Sequence, residues 1–286
     1  MLNKNVNRFR LFVSAVVLTS LIVVFSACTS APASGQISSS GPSSTGQTTT
    51  SSSTGTSASP NTTQPPIASS GFDFILGVSK VLPSVATIEV TYGPNGAPGQ
   101  PFATGAAGSG WVIDSNGILV TNDHVVTGAQ TITVTLSDGR QFAPSAVQSS
   151  PQDDLAVVKI GAQNLPVASI GNSSSLQLGQ LVAAVGNSLN MGIRVTGGLV
   201  SRLGTTATYS VTGGQGNSIT LNNLIETDAT INPGNSGGVL INTSGQVVGI
   251  VNAGLEGPNT DIEGFGYAIS IDGAMPILNG LISKLP

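Results

Sequence analysis

The sequence predicts an all-β protein of short antiparallel strands, and three observations predict it. From Phe72 onward, short runs rich in β-branched residues alternate with turn signals. Charged residues make up only 8% of the 286 residues while Gly, Ser and Thr abound, which suits strands and turns better than helices laced with ion pairs. No strand–helix–strand alternation appears, so the strands are read as two small barrels or a sandwich rather than a parallel sheet. At 39% apolar composition the chain can bury a substantial core.

Two segments precede that body. Residues 1–10 carry Lys4, Arg8 and Arg10, residues 11–27 are apolar, and Ser26 and Ala27 stand directly before Cys28, the layout of a secretory signal. The small-small-cysteine ending resembles the lipobox of bacterial lipoproteins, with Phe25 where leucine is usual. The resemblance implies that 1–28 is a signal peptide and that Cys28 becomes a lipidated first residue. The other reading is an uncleaved anchor, since about 17 apolar residues is the lower limit for a bilayer span. Both readings place the body outside the cytoplasmic membrane, because the positive charges lie on the amino side. Cys28 is the only cysteine, so no internal disulfide holds the fold. Residues 29–70 are almost wholly Ser, Thr, Gly, Pro, Ala and Gln, with too little apolar surface to offset the entropy of folding. They are expected to be a disordered linker with a span of roughly 35 Å.

The body, residues 71–286, carries strand candidates at Val85–Val90, Gly110–Ile113, Ile118–Thr121, Thr131–Leu136, Ala156–Ile160, Leu181–Val185, Val247–Val251 and Phe265–Ile269. Asn116-Gly117 and Asp138-Gly139 supply hairpin turns. Helical period is convincing only at Ile75–Val81 and from Asp272 to Lys284. The net charge is -4. Without the three leader cations, six basic residues would face thirteen acidic ones, about -7, a surface that repels nucleic acid.

Three segments carry candidate chemistry. His124, the single histidine, lies in Thr121-Asn122-Asp123-His124-Val125-Val126 just past a predicted strand. A lone histidine is more often structural than catalytic, and a metal site wants further ligands. Thirty residues on, Asp153-Asp154-Leu155-Ala156-Val157 puts an acidic pair at the mouth of a strand. Asn232-Pro233-Gly234-Asn235-Ser236-Gly237-Gly238 then sets a serine among glycines before another apolar run. Each segment alone is ordinary.

Together they resemble the catalytic signatures of the HtrA (Deg) family of trypsin-like serine proteases, in which T-N-x-H-V-V, D-L-A-V and G-N-S-G-G recur in this order. The likeness extends to Gly108-Ser109-Gly110-Trp111, Ala184-Val185-Gly186-Asn187 and Gly266-Tyr267-Ala268-Ile269, and so covers most of residues 72–286. It implies a chymotrypsin-like fold of two six-stranded antiparallel barrels, about 72–175 and 176–286, with the active site in the cleft between them. It also implies a serine endopeptidase with His124 as base, Asp154 as its partner and Ser236 as nucleophile. Asp153 is expected to be solvated. The backbone of Gly234, Asn235 and Ser236 would form the oxyanion hole, the amides of Gly234 and Ser236 donating and Asn235 supporting the turn. Asn235 stands where trypsin-type zymogens carry an aspartate, so control would act through loop order.

Thr230, six residues before the nucleophile, occupies the place of the acidic floor of trypsin, so cleavage after Lys or Arg is not expected. Asn252, Ala253 and Gly254 would form a pocket wall that favours Val or Ala before the cut, with Asp228 and the loop 187–194 as modifiers. No cofactor or metal is implied. The implied substrates are unfolded or damaged proteins and peptides outside the membrane, and the implied assembly is a homotrimer joined near Phe72 and Phe74. No PDZ domain is expected after the second barrel. A silent chaperone that keeps the protease fold is the competing reading. A metal hydrolase is disfavoured by the single histidine.

Overall fold

The computed structural model describes residues 74–96, 104–188, 191–210, 218–252 and 264–286, all within one compact unit, Gln64–Pro286. Cys28, the linker, Phe72, Ala253 and Gly254 lie outside the described residues.

Seven strands form the first sheet: β1 (Val85–Thr91), β2 (Gly105–Asp114), β3 (Ile118–Thr121), β4 (Thr131–Thr135), β5 (Gln141–Phe142), β6 (Pro144–Ser150) and β7 (Leu155–Ile160). Their order is β5-β4-β1-β2-β3-β7-β6, every recorded pairing antiparallel. The seventh member relative to the six expected is β5, a two-residue edge strand. The two anticipated turns close tightly, Gly117 N–H donating to Asp114 O at 3.1 Å and Gly139 N–H to Leu136 O at 2.9 Å.

The second sheet closes into a six-stranded barrel, β10-β13-β12-β11-β8-β9. Its strands are β8 (Leu181–Gly186), β9 (Arg194–Ser210), β10 (Ser218–Thr227), β11 (Val239–Asn242), β12 (Val247–Asn252) and β13 (Gly266–Ser270). Three α-helices lie among the described residues, α1 (Ile75–Val81), the one-turn α2 (Asp123–Val126) and α3 (Ile271–Ile282), besides short 3-10 turns.

Strand alternation sorts the core into three clusters. Ile88, Val112, Leu119, Ala156 and Val158 fill the first sheet, while Val182, Ala184, Leu240, Val248 and Val251 fill the barrel. The alternate residues Trp111, Val120, Leu155 and Val157 join Ala183, Val185, Val239 and Ile241 in a third cluster, which unites the two sheets. α3 buries Ile271, Ala274, Leu278 and Leu281, an amphipathic stripe, and packs on β7 and β6 as well as β12 and β13. The chain thus leaves the second barrel and returns onto the first sheet. Each fully buried Leu, Ile or Val contributes about 1.5–3 kcal/mol, so the shared cluster helps hold the two sheets together. Phe74 joins the same cluster, and a side chain at Gly197 of β9 would touch its ring, which makes it a cap on the fold.

Candidate active site

His124 is presented by α2, which turns immediately after β3 ends at Thr121. Asp154 follows a 3-10 turn, Pro151–Asp153, and adopts the left-handed conformation with φ 50° and ψ 44°, which aspartate tolerates better than most residues. That backbone swings its carboxylate inward, where it is 1% exposed. A buried carboxylate needs donors on its oxygens. Oδ1 accepts the backbone N–H of His124 at 2.9 Å, and Oδ2 meets His124 Nδ1 at 2.7 Å and accepts Asn252 Nδ2 at 2.7 Å. The backbone and amide groups are donors, which marks the carboxylate as the acceptor throughout. Nδ1 therefore carries a proton in this contact, and in the neutral ring that tautomer puts the lone pair on Nε2. Asn122 Nδ2 donates to the Asp154 carbonyl at 2.8 Å and fixes the loop from the other side. Asp153 is half-buried rather than solvated, its carboxylate accepting the Ser150 hydroxyl at 2.6 Å.

Ser236 is buried at 5% exposure in the loop before β11. Asn235 N–H donates to Asn232 O at 3.0 Å across Pro233-Gly234. Proline fixes φ at the second position of this turn, and Gly234 has φ 96° at the third, the combination that defines a type II turn. The Asn235 amide thus closes the turn, the supporting place expected of it. Gly237 N–H is likewise bonded to Val251 O and Gly238 N–H to Asn235 O, both at 2.9 Å.

The first sheet grips this loop directly. Ser109 N–H donates to Ser236 O at 2.8 Å, and Ser109 Oγ donates to Gly234 O at 2.7 Å. A Cβ on Gly237, which has φ 81°, would lie 2.2 Å from Ser109 O and 3.1 Å from Asn122 N. One on Gly108 would meet Val125 at 2.6 Å and Ser236 O at 3.3 Å. The nucleophile loop, the His124 segment and the Asp154 loop therefore converge on one spot at the seam between the sheets. Among the described residues, no group of three or more His, Cys, Asp or Glu is placed to hold a metal.

The specificity residues fall out differently. Asn252 is 1% exposed and its amide is spent on Asp154, so its side chain braces the acid and does not face a pocket as wall. Thr230 is exposed, with its carbonyl accepting Thr196 Oγ1 at 2.8 Å. Asp228 accepts Leu199 N–H at 2.6 Å and thereby ties its loop to β9. Three residues had no supporting role assigned in the sequence: Ser109, Asn187, which figured only within the pocket-modifying loop 187–194, and Asn122 beside the histidine. The first two sit in Gly108-Ser109-Gly110 and Gly186-Asn187, where flanking glycines were the one available sign of close approach.

This arrangement matches a known family model, the trypsin-like peptidase domain, over residues 108–250, half of the chain. The chain belongs to the HtrA group of trypsin-like peptidases. It is 46% identical over 176 residues to the serine protease HhoA of Synechocystis, covering 61% of this chain and 42% of that protein. A DegP-like periplasmic serine endoprotease of Halomonas elongata is 38% identical over 188 residues, covering 66% of this chain and 38% of that one. Among solved structures, the HtrA-type protease AlgW with a tripeptide aligns with TM-score 0.61 and 33% identity, over 73% of this chain and 64% of its own. This HtrA-group chain thus spans about two fifths of the length of the curated relatives it matches.

Proposed function

We propose that this chain is a serine endopeptidase that cuts unfolded or damaged proteins outside the cytoplasmic membrane. The observation that carries the reading is the 2.7 Å His124–Asp154 hydrogen bond, formed where the loop of Ser236 is clamped to the first sheet. Family membership and the periplasmic relative support the activity and the location.

In this reading the substrate carbonyl lies over Ser236 Oγ. His124 Nε2 takes the hydroxyl proton as Oγ bonds to the carbonyl carbon. Asp154 holds the tautomer and stabilises the imidazolium that results. The oxyanion is received by the amides of Gly234 and Ser236, each worth about 3–4 kcal/mol. His124 then returns the proton to the leaving amine, and water repeats the sequence on the acyl-enzyme. Thr230 presents no charge to the first pocket, which favours small aliphatic side chains before the cut.

The test uses the full chain and denatured casein. Ser236→Ala is expected to lose cleavage by a factor of at least about 10³ while still binding casein. An organophosphate should label wild type at Ser236 and leave the variant unmodified. Undiminished cleavage by Ser236→Ala would remove the assignment, and a wild type that binds casein without cutting it would favour the silent chaperone.

A further inference from the structure

Ser109 is a hydroxyl in the middle of an apolar strand. It is 0% exposed, and residues 108–112 of β2 are all buried. Such a group persists in a core only when both its donor and its acceptor capacity are used. Here both are used on the other barrel. The Asn187 N–H donates to Ser109 Oγ at 2.7 Å, and the hydroxyl proton goes to Gly234 O at 2.7 Å. Gly186 makes this approach feasible, since a Cβ there would stand 2.7 Å from Ser109 Oγ. The Ser109 carbonyl in turn accepts Thr121 Oγ1 at 2.7 Å, which ties the same residue to the end of β3, three residues before His124.

The direction of these bonds decides what they do. Gly234 O belongs to the peptide plane between Gly234 and Asn235, whose N–H is already fixed on Asn232 O. The Ser109 hydroxyl therefore pins the second end of that plane. Ser109 N–H pins the carbonyl of Ser236 and so fixes the next but one plane, between Ser236 and Gly237. The peptide that carries the Ser236 amide lies between two planes clamped by one residue, and the Gly234 amide lies in the turn that the first clamped plane completes.

Resting on the protease reading above, we propose that Ser109 is a positioning residue that holds the oxyanion-binding amides of Gly234 and Ser236 in register through its side-chain hydroxyl. The backbone bond would survive any substitution but proline. The hydroxyl bond would not, and without it Gly234 O and Asn187 N–H face an apolar side chain. The turn then loses one of the two restraints on its central geometry.

A role in positioning differs from a role in stability by where the loss appears. Full-length wild type, Ser109→Ala and Ser109→Cys are compared on one chromogenic peptide amide with Val before the cut. They are also compared on the matching peptide boronate, whose tetrahedral adduct with Ser236 puts an oxygen at the oxyanion position and so mimics the transition state. In Ser109→Ala, kcat should fall about 10- to 100-fold, below the cost of deleting a donor outright. KM should stay within about twofold, and the boronate inhibition constant should rise by the factor lost from kcat. Ser109→Cys, near in size but a weak donor, should fall between, and it carries the comparison if the alanine variant does not fold.

Equal kcat and boronate affinity in wild type and both variants would overturn the clamp and leave the protease reading intact. So would a loss in which KM rises while melting temperature and kcat fall and boronate affinity holds relative to substrate, since that is a structural defect alone. A wild type that neither cuts the peptide nor binds the boronate would remove the protease reading, and the clamp with it.

Discussion

Asp154 shows how much of the site rests on single atoms. Its buried carboxylate receives a backbone N–H, an imidazole N–H and the Asn252 amide, so no oxygen is left without a donor. Hydrogen bonds to charged groups are worth about 1.5–3 kcal/mol. Asn252→Ala removes one from the atom that also orients His124, and the ring then has a less firmly held partner. The expected outcome is a fall in kcat/KM of about 10- to 100-fold with a preserved fold, read from peptide hydrolysis and circular dichroism. Unchanged kcat/KM would show that His124 orientation does not depend on the amide. The sequence reading sets Asn252 in a pocket wall, and nothing in the sequence reveals which way the side chain turns. The candidates His124, Asp154 and Ser236 stood out in the sequence because each sits in a short motif of fixed order, and the structure joins the first two directly. Ser109 did not, because a serine between glycines in a strand reads as a weak packing position until the opposing loop is seen.

At the scale of elements, four strands buried on both faces were the easiest to read, β4 was read from its β-branched alternation, and the short, equally buried β11 was not among the candidates. β3, β7, β8 and β12 read as unbroken apolar runs because one face fills a sheet interior and the other the shared cluster. β9, β10 and β6 escaped detection for the opposite reason. β10 has exposed Ser218, Thr220, Asn222 and Asn223 among its buried residues, and register shifts interrupt its pairing with β9 between Leu221 and Thr227, so neither a run nor a clean alternation survives. The start of α3 offers a test of how such elements are tied. Asp272 Oδ2 accepts Ser174 N–H at 2.8 Å, and Asp272 N–H returns a bond to Ser173 Oγ at 3.1 Å. Partial burial pushes the Asp272 carboxyl up, but the hydrogen bonds from Ser174 and Ser173 together outweigh it and hold the group below its ordinary value. The unfolded chain therefore takes up this proton first on acidification. The stabilisation is full above the ordinary carboxylate range and lost as pH falls through the lowered folded value. Asp272→Asn should melt slightly below wild type near neutral pH, and the gap should close toward about pH 3. A gap that is constant or widens in acid would contradict the assignment. Solvent screening at this exposed position keeps the effect small.

At the scale of the whole molecule, the candidate catalytic groups come from both sheets, and the apolar cluster that unites those sheets also underlies the candidate site. What precedes this body decides where it works, and there the sequence carries the argument. We propose that Cys28 becomes the lipidated first residue of the mature protein. It is the only cysteine in the chain and follows an apolar run and two small residues, so a disulfide within the chain is ruled out as its purpose. One acyl chain gives marginal membrane binding, whereas two or three chains, at about 0.8 kcal/mol per buried methylene, hold a protein firmly. Lipidation at Cys28 would then keep the folded body beside the membrane. The expected outcome for the full chain extracted from membranes is an intact mass equal to residues 28–286 plus a diacylglyceryl group, with or without a further acyl chain. Cys28→Ala should accumulate as the unprocessed, lipid-free precursor, still held by its apolar leader. A wild-type mass that begins at Met1, or at any other residue without lipid, would refute the lipoprotein assignment and leave a plain anchor or an ordinary secretory signal.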